Sequence, residues 1–414
     1  LLLNSSSGTI NLNGGTLTLN TLTFTTGNNR INFNGGTYKM GAATAGFSGF
    51  NSANVQAGGA IFDTNGFDAT IGQALLDAGG GGGLTKNGAG ALTLTGSANT
   101  FTGVTTINAG TLILNKAAST TSIAGNVVIG DNGTGSDTLR VSANEQIADT
   151  SVVSFTSGLS GNSALLQLAG GVTETVGGIT TTLAGRAPVI EVSSAGTGTL
   201  VVNDASNRTY DGILRNGSGT LAFTKQGAGN LTLQNTGGVV ATNFSGATTI
   251  SGGTLTLGST AGATGNKLVM QNWSSAISNN SALVFDNATG LSETFGQAIS
   301  GTGTLTKSGG GTVILGVNNT YTGVTTINGG TLSIAADGAN GAASSRLGAV
   351  PASPTPGHLV LNGGTLSFSA TTTFASNRGV LVNASGGTFN NTAGSASTIN
   401  AIIDGAGAVT FSGA

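Results

Sequence analysis

The stretch FTGVTTINAGTLILN at residues 101–115 returns as YTGVTTINGGTLSI at residues 321–334. No other feature narrows the fold as much, because internal self-similarity marks a chain built from stacked units. The heart of the phrase is an apolar residue, a corner of the N-G-G-T kind, then alternating apolar and polar residues. It also reads LNGGTLTL at 12–19, FNGGTYKM at 33–40, ISGGTLTL at 250–257 and LNGGTLSF at 361–368. A second phrase precedes it, as GLTKNGAGALTLTG at 83–96, AFTKQGAGNLTLQN at 222–235 and TLTKSGGGTVILG at 304–316. A third reads ALLQLAGGVTETVGG at 164–178 and ALVFDNATGLSETFGQ at 282–297, with AIFDTNGFDATIGQ at 60–73 as a looser copy.

Within each phrase the alternation has period two, so Leu points to one face of a strand and Thr to the other. The Gly-Gly and Asn-Gly pairs mark sharp corners. Such a unit cannot bury its inner face alone and must stack on its neighbours. The expected fold is therefore all-β, a β-solenoid read as a single right-handed parallel β-helix. At 20–22 residues per coil it has about 19–20 coils. Residues 1–414 read as one continuous domain. Segment 335–358 carries three of the four prolines and little strand pattern, so it is expected to protrude as an irregular loop outside the central ladder.

Composition removes several function classes. Thirteen Lys and Arg in 414 residues, with net charge −2, do not supply the basic stripe that nucleic acid requires. The absence of cysteine removes disulfides and thiolate chemistry. No run of 18 apolar residues predicts a membrane helix. The opening LLLN does not read as a signal peptide, and AVTFSGA stops within a strand-like pattern. The chain is accordingly read as a mature product or a segment of a longer protein.

The ordered pair of phrases resembles the autotransporter-associated β-strand repeat, also called the passenger-associated transport repeat. Copies lie near 83–115 and 304–334, with a looser one at 219–257 that holds the insertion NTGGVVATNF. The resemblance implies a β-helical passenger at a bacterial surface, in which the repeat serves export and folding rather than a reaction. This sequence shows neither a terminal barrel nor a leader, so the resemblance supports a surface β-helix more directly than a whole autotransporter.

The sequence offers few candidates for chemistry. NDASNRTYDGILRNG at 203–217 brings together Asp204, Arg208, Asp211 and Arg215, a pattern a lyase could use, but it reads more simply as a solvated corner. DNGTGSD at 131–137 resembles a calcium loop but has Ser136 and Ser142 where an EF-hand needs Gly and Glu. His358 is the only histidine, so no multi-histidine metal site or His-based triad partner set is expected. Glu174 and Glu293 recur in the third phrase and are expected to accept corner N–H groups or face water. Lys86, Lys225 and Lys307 share one repeat position, and Phe101, Phe244 and Tyr321 share another. They could form a cation–aromatic binding stripe. The favoured expectation is that the aromatics plug corners while the lysines keep a strand face soluble. No catalytic, cofactor or metal residue is assigned. The expected function is a structural extracellular stalk, fibre or surface-layer element, with a filament as an extension of it and a glycan- or host-binding adhesin as the alternative. The expected partners are copies of the chain itself, flanking parts of a longer chain, or surface glycans.

Overall fold

Alternation in sequence becomes alternation of inside and outside in the computed structural model. It describes residues 7–413 apart from 25–26, 44, 132–134, 157–163, 183–187, 235–241, 260–272, 393 and 395. Among these residues there are strands and no helices. The strands stack in parallel, each on its counterpart one coil away. The chain divides into two compact units, Leu1–Asn203 with Leu214–Leu221, and Asp204–Ile213 with Ala222–Ala414.

In the first unit the inward column Leu92, Leu112, Leu139, Leu166, Ile190 runs through five successive coils. Beside it runs Leu94, Leu114, Val141, Leu168, Val192. All ten side chains are buried, and each contributes roughly 1.5–3 kcal/mol by leaving water. An aromatic knot of Phe33, Tyr38, Phe47 and Phe62 fills the early coils, with ring centroids 5.2–6.0 Å apart. Outside, amides line up as the backbone does: Asn54 donates to Asn32, and Asn32 to Asn11, at 2.8 and 2.7 Å. In the second unit a comparable column runs Leu231, Leu255, Leu283, Leu305.

The coil count is lower than 19–20. The described strands make about 16 turns. The reason is that coil length is not constant. Thr312 pairs with Thr331, a coil of 331 − 312 = 19 residues. Thr325 pairs with Leu359, a coil of 359 − 325 = 34 residues. Insertions lengthen the corners without adding a level to the stack.

The segment 335–358 also differs from expectation. It folds back onto its unit instead of protruding. Leu347, Val350, Ser345 and His358 are buried. Its last residues lie in the strand Thr355–Leu361, which joins the ladder on both sides. Pro356 is accommodated because the register slips between Thr355 and Leu359, so the missing N–H falls in a bulge. A fully buried Arg378, one coil later, holds the segment down. Its guanidinium meets Asp337 Oδ1 at 3.1 Å and Oδ2 at 3.2 Å, Ser345 Oγ at 3.1 Å and Leu347 O at 3.0 Å.

The corner glycines are not equivalent. In N-[AG]-G-T, the second position is Gly110, Gly253 or Gly330, each with φ between +57° and +67°. A Cβ there would lie 2.3–2.6 Å from a carbonyl oxygen of the preceding coil. The first position is Ala109, Gly252 or Gly329. At Gly329 a Cβ would come no closer than 3.3 Å to Gly309 O. Gly330→Ala is therefore expected to cost ~2 kcal/mol or more, from strained φ and the close approach together. Gly329→Ala should stay within about 0.5 kcal/mol of wild type by urea denaturation.

Candidate functional site

The repeat copies are the natural place to look for function, and each is built around one lysine. Lys86, Lys225 and Lys307 have no exposed surface. Their place in the ladder explains this. Lys86 pairs with Phe62 on one side and Ile107 on the other, and Lys307 with Phe285 and Ile327. Lys225 pairs with Ile250. Each lysine takes an inward position where its neighbours are apolar, and its ammonium reaches the corner that follows.

There the three ammonium groups make the same bonds. Lys86 Nζ donates to Asn87 O at 3.0 Å, Gly88 O at 2.7 Å and Ala109 O at 2.9 Å, with Thr64 Oγ1 at 3.2 Å. Lys225 Nζ donates to Gln226 O, to Gly227 O at 2.9 Å and to Gly252 O at 3.4 Å. Lys307 Nζ donates to Ser308 O, to Gly309 O at 2.9 Å and to Gly329 O at 3.3 Å. Two of the carbonyls belong to the lysine's own corner and the third to the corner of the next coil. Three N–H donors thus meet three carbonyls, and at Lys86 Thr64 Oγ1 is a fourth acceptor within reach. The expectation of a solvent-facing lysine is wrong, because a stem of four methylenes on an apolar column and a polar head in a carbonyl cage suit an interior position better. Burial pushes Lys86 down to about 8 against the opposing effect of Asp63, and Lys307 down to about 8 against Asp286 and Glu293.

The aromatics do plug corners: Phe101, Phe244 and Tyr321 are fully buried. Phe244 packs edge-on against Trp273 at 4.7 Å. The first threonine of T-T-I, four residues after the aromatic, is buried in each copy. Tyr321 Oη and Thr325 Oγ1 are 2.8 Å apart, and Thr248 Oγ1 reaches Ser275 Oγ at 3.0 Å. Thr105 holds the equivalent position four residues after Phe101, and its buried hydroxyl has no partner among the described residues.

Asn99 and Asn319, two residues before the aromatic, escaped sequence reasoning. A four-stranded sheet in the first unit ends at the strand Leu75–Asp77, and a six-stranded sheet ends at the strand Ile299–Ser300. The asparagines close those edges. Asn99 Oδ1 accepts from Leu75 N at 2.9 Å while its amide donates to Ser122 O at 2.8 Å. Asn319 Oδ1 accepts from Ile299 N at 2.8 Å while its amide donates to Arg346 O at 2.7 Å. Each amide replaces a missing strand and ties three coils together. The shared N-T-aromatic triplet carried the signal. In the middle copy the order is Thr242-Asn243-Phe244, with Thr242 buried and Asn243 exposed.

The remaining candidates are dispersed. Arg208 pairs with Asp204 four residues before it. Arg215 pairs with Glu191 at 2.8 Å, at one end of an outward ladder in which Arg140 donates to Gln167 and Gln167 to Glu191. Asp211 is buried. Residues 132–134 of the calcium-like loop lie outside the described residues. Asp137, the last residue of that loop, is buried and pushed up to about 7 by desolvation and Asp131. No cluster of three His, Cys, Asp or Glu able to hold a metal occurs among the described residues. Glu174 accepts from Gln146 N at 2.9 Å and Ile147 N at 2.7 Å, which is the corner role expected of it, and burial pushes it up to about 8. Glu293 is buried. His358 Nδ1 faces Arg378 Nη1 at 3.0 Å, and burial together with that cation pushes the imidazole down.

Comparison with known proteins agrees with this geometry. The passenger-associated-transport-repeat family matches residues 84–114, 223–257 and 305–334. A segment of the adhesin BmaC autotransporter of Brucella suis is 31% identical over 346 residues, which is 77% of this chain and 8% of that protein. No solved structure matches. Each matched segment contains one lysine cage and one plugged corner. The similarities place the chain outside the cell or on its surface.

Two outcomes follow from this geometry. Phe101→Tyr should give Thr105 a partner and stabilise by about 1 kcal/mol, while Tyr321→Phe should cost a similar amount in urea denaturation. The second concerns pH. Glu174 titrates above its unfolded value of 4.5, at about 8, so its contribution is lost as pH rises through that window. Lys86 and Lys307 titrate below 10.5, at about 8, so the unfolded chain holds more protons between 8 and 10.5 and stability recovers there. The melting temperature should therefore pass through a minimum near pH 8, and Glu174→Gln should shallow the acid side of that minimum.

Proposed function

Starting from a chain that carries the passenger-associated transport repeat three times, we infer that it is a structural segment of an adhesin-type surface passenger. Its repeats hold the coil stack rigid, and its non-repeating segments make whatever outside contacts it has. The observation that carries this reading is that the shared lysine, the shared aromatic and the first threonine of T-T-I are buried in all three copies. A binding stripe would need them outside. The segment is read as non-catalytic, a stalk whose work is length and stiffness.

The relative is named an adhesin, and this supports the second reading, in which contact with a host or glycan surface runs through residues between the repeats. Association of copies into filaments through strand edges is a further extension, and sedimentation velocity at rising concentration measures it directly.

The test uses the full-length passenger displayed on bacteria. Val104 and Val324 are the exposed corner residues of the first and third repeats, 47% and 36% accessible. Val104→Asp and Val324→Asp should leave both display and adhesion unchanged. Loss of adhesion with display intact would assign the contact to the repeats themselves and overturn the reading.

A further inference from the structure

The segment 335–358 and the coil after it enclose a groove of about 470 Å³ in the second unit. Its walls carry Asn340, Thr371, Thr373, Ser376 and Asn400, and the backbone around Asp337. A second hollow of about 250 Å³ adjoins it, lined by Pro354, Pro356, Leu381 and Ile402 with Asp404 at its side. Ser376 lines both, so polar groove and apolar hollow form one continuous surface. Leu381 and Ile402 are 36% and 69% exposed, large for aliphatic side chains on an otherwise polar face.

The groove is held in shape before any ligand arrives. Asn340 Nδ2 donates to Ser376 Oγ at 2.7 Å, and Asn340 Oδ1 accepts from Asn377 N at 3.0 Å. Thr372 Oγ1 accepts from Asp337 N at 3.0 Å. Behind the wall the Arg378–Asp337 pair, with no exposed side-chain surface on either partner, fixes both coils at once. Such rigidity lowers the ordering cost that weak ligands must overcome.

The chemistry of the surface selects a ligand class. Asp337 is neutralised from within by Arg378, so the polar groove presents no net charge to a bound ion. What it presents are hydroxyls and amides, which both donate and accept. Thr371, Thr373 and Asn400 are exposed there, and the side-chain amide of Asn400 makes no hydrogen bond among the described residues. A ligand with many hydroxyls, each donor and acceptor, matches that lining, and its C–H faces match the Pro354, Pro356, Leu381 and Ile402 hollow. We propose that this surface binds a neutral oligosaccharide, its hydroxyls in the Asn340–Thr373–Asn400 groove and an adjoining sugar face on the aliphatic hollow. The proposal names a ligand class for the adhesin reading given above and rests on it. Without an aromatic platform, single-site affinity is on the order of 0.1–1 mM, and adhesion would depend on many passengers acting together.

The probes are N-acetyllactosamine, lacto-N-tetraose and maltoheptaose, with 3′-sialyllactose and heparin as charged comparators, titrated against the whole chain by NMR. At least one neutral probe should bind. Asn400→Ala with Thr373→Val should weaken it fivefold or more at an unchanged melting temperature, and Asn11→Ala, in the first unit, should not. Silence with all neutral probes, binding of the charged probes alone, or neutral binding unaffected by the double substitution would overturn the proposal. The same double substitution in the full passenger separates the two readings. Adhesion that persists through it leaves the adhesin reading standing and removes the groove. A full passenger that never adheres removes the adhesin reading itself.

Discussion

A corner in a stacked coil leaves carbonyl groups, such as those of Gly88, Gly227 and Gly309, with no backbone N–H donor among the described residues, whereas Asn87 O also accepts from Thr64 N. Unpaired, each would cost about 1–3 kcal/mol. The lysine cage resolves this at three corners with one device. An ammonium placed on the apolar column just before the corner supplies three donors to two carbonyls of its own turn and one of the next. The rest of the repeat depends on that arrangement. Gly110, Gly253 and Gly330 must lie flat against the preceding coil to bring the third carbonyl within reach. The aromatic plugs a separate corner of the same copy, and where a sheet ends beside it, Asn99 or Asn319 completes the edge.

Much of this was legible in the residues. Period-two Leu and Thr gave strands, Gly-Gly gave corners, and repetition gave stacking, because these patterns have one inexpensive solution in a chain with so little charge. The lysines were legible as a repeat position but misread in direction. In T-K-N, Lys86 stands two residues after Leu84, and period two places it inward with Leu84. General reluctance to bury a charge outweighed that local rule, although a cage of carbonyls removes the objection. The coil count failed for another reason. Spacing between similar phrases does not reveal how many residues bulge at a corner, and the 34-residue coil around 335–358 adds chain without height. Proline there suggested exclusion from the ladder, yet a single register slip makes room for Pro356. Nothing local to Asp337 announced Arg378, 41 residues away, as its partner.

The division of labour that emerges is spatial. The shared lysine, aromatic and first threonine turn inward, whereas variable segments sit at the corners, where length and composition change without disturbing the columns. A solenoid of this kind tolerates insertions such as 335–358 because each coil contacts mainly its neighbours. The candidate ligand surface lies beside that insertion and is anchored by a buried ion pair rather than by the repeat. Scaffold and contact surface can thus vary independently.

The cage is tested most directly by Lys307→Met, which keeps the apolar stem and removes the ammonium. Equilibrium urea denaturation, with hydrogen exchange at the amides flanking Ser308, Gly309 and Gly329, reads both global and local effects. The account predicts a loss of about 3 kcal/mol, as expected for orphaned buried carbonyls, and faster exchange confined to those two corners. Unchanged stability, or exchange that rises evenly through the unit, would contradict it.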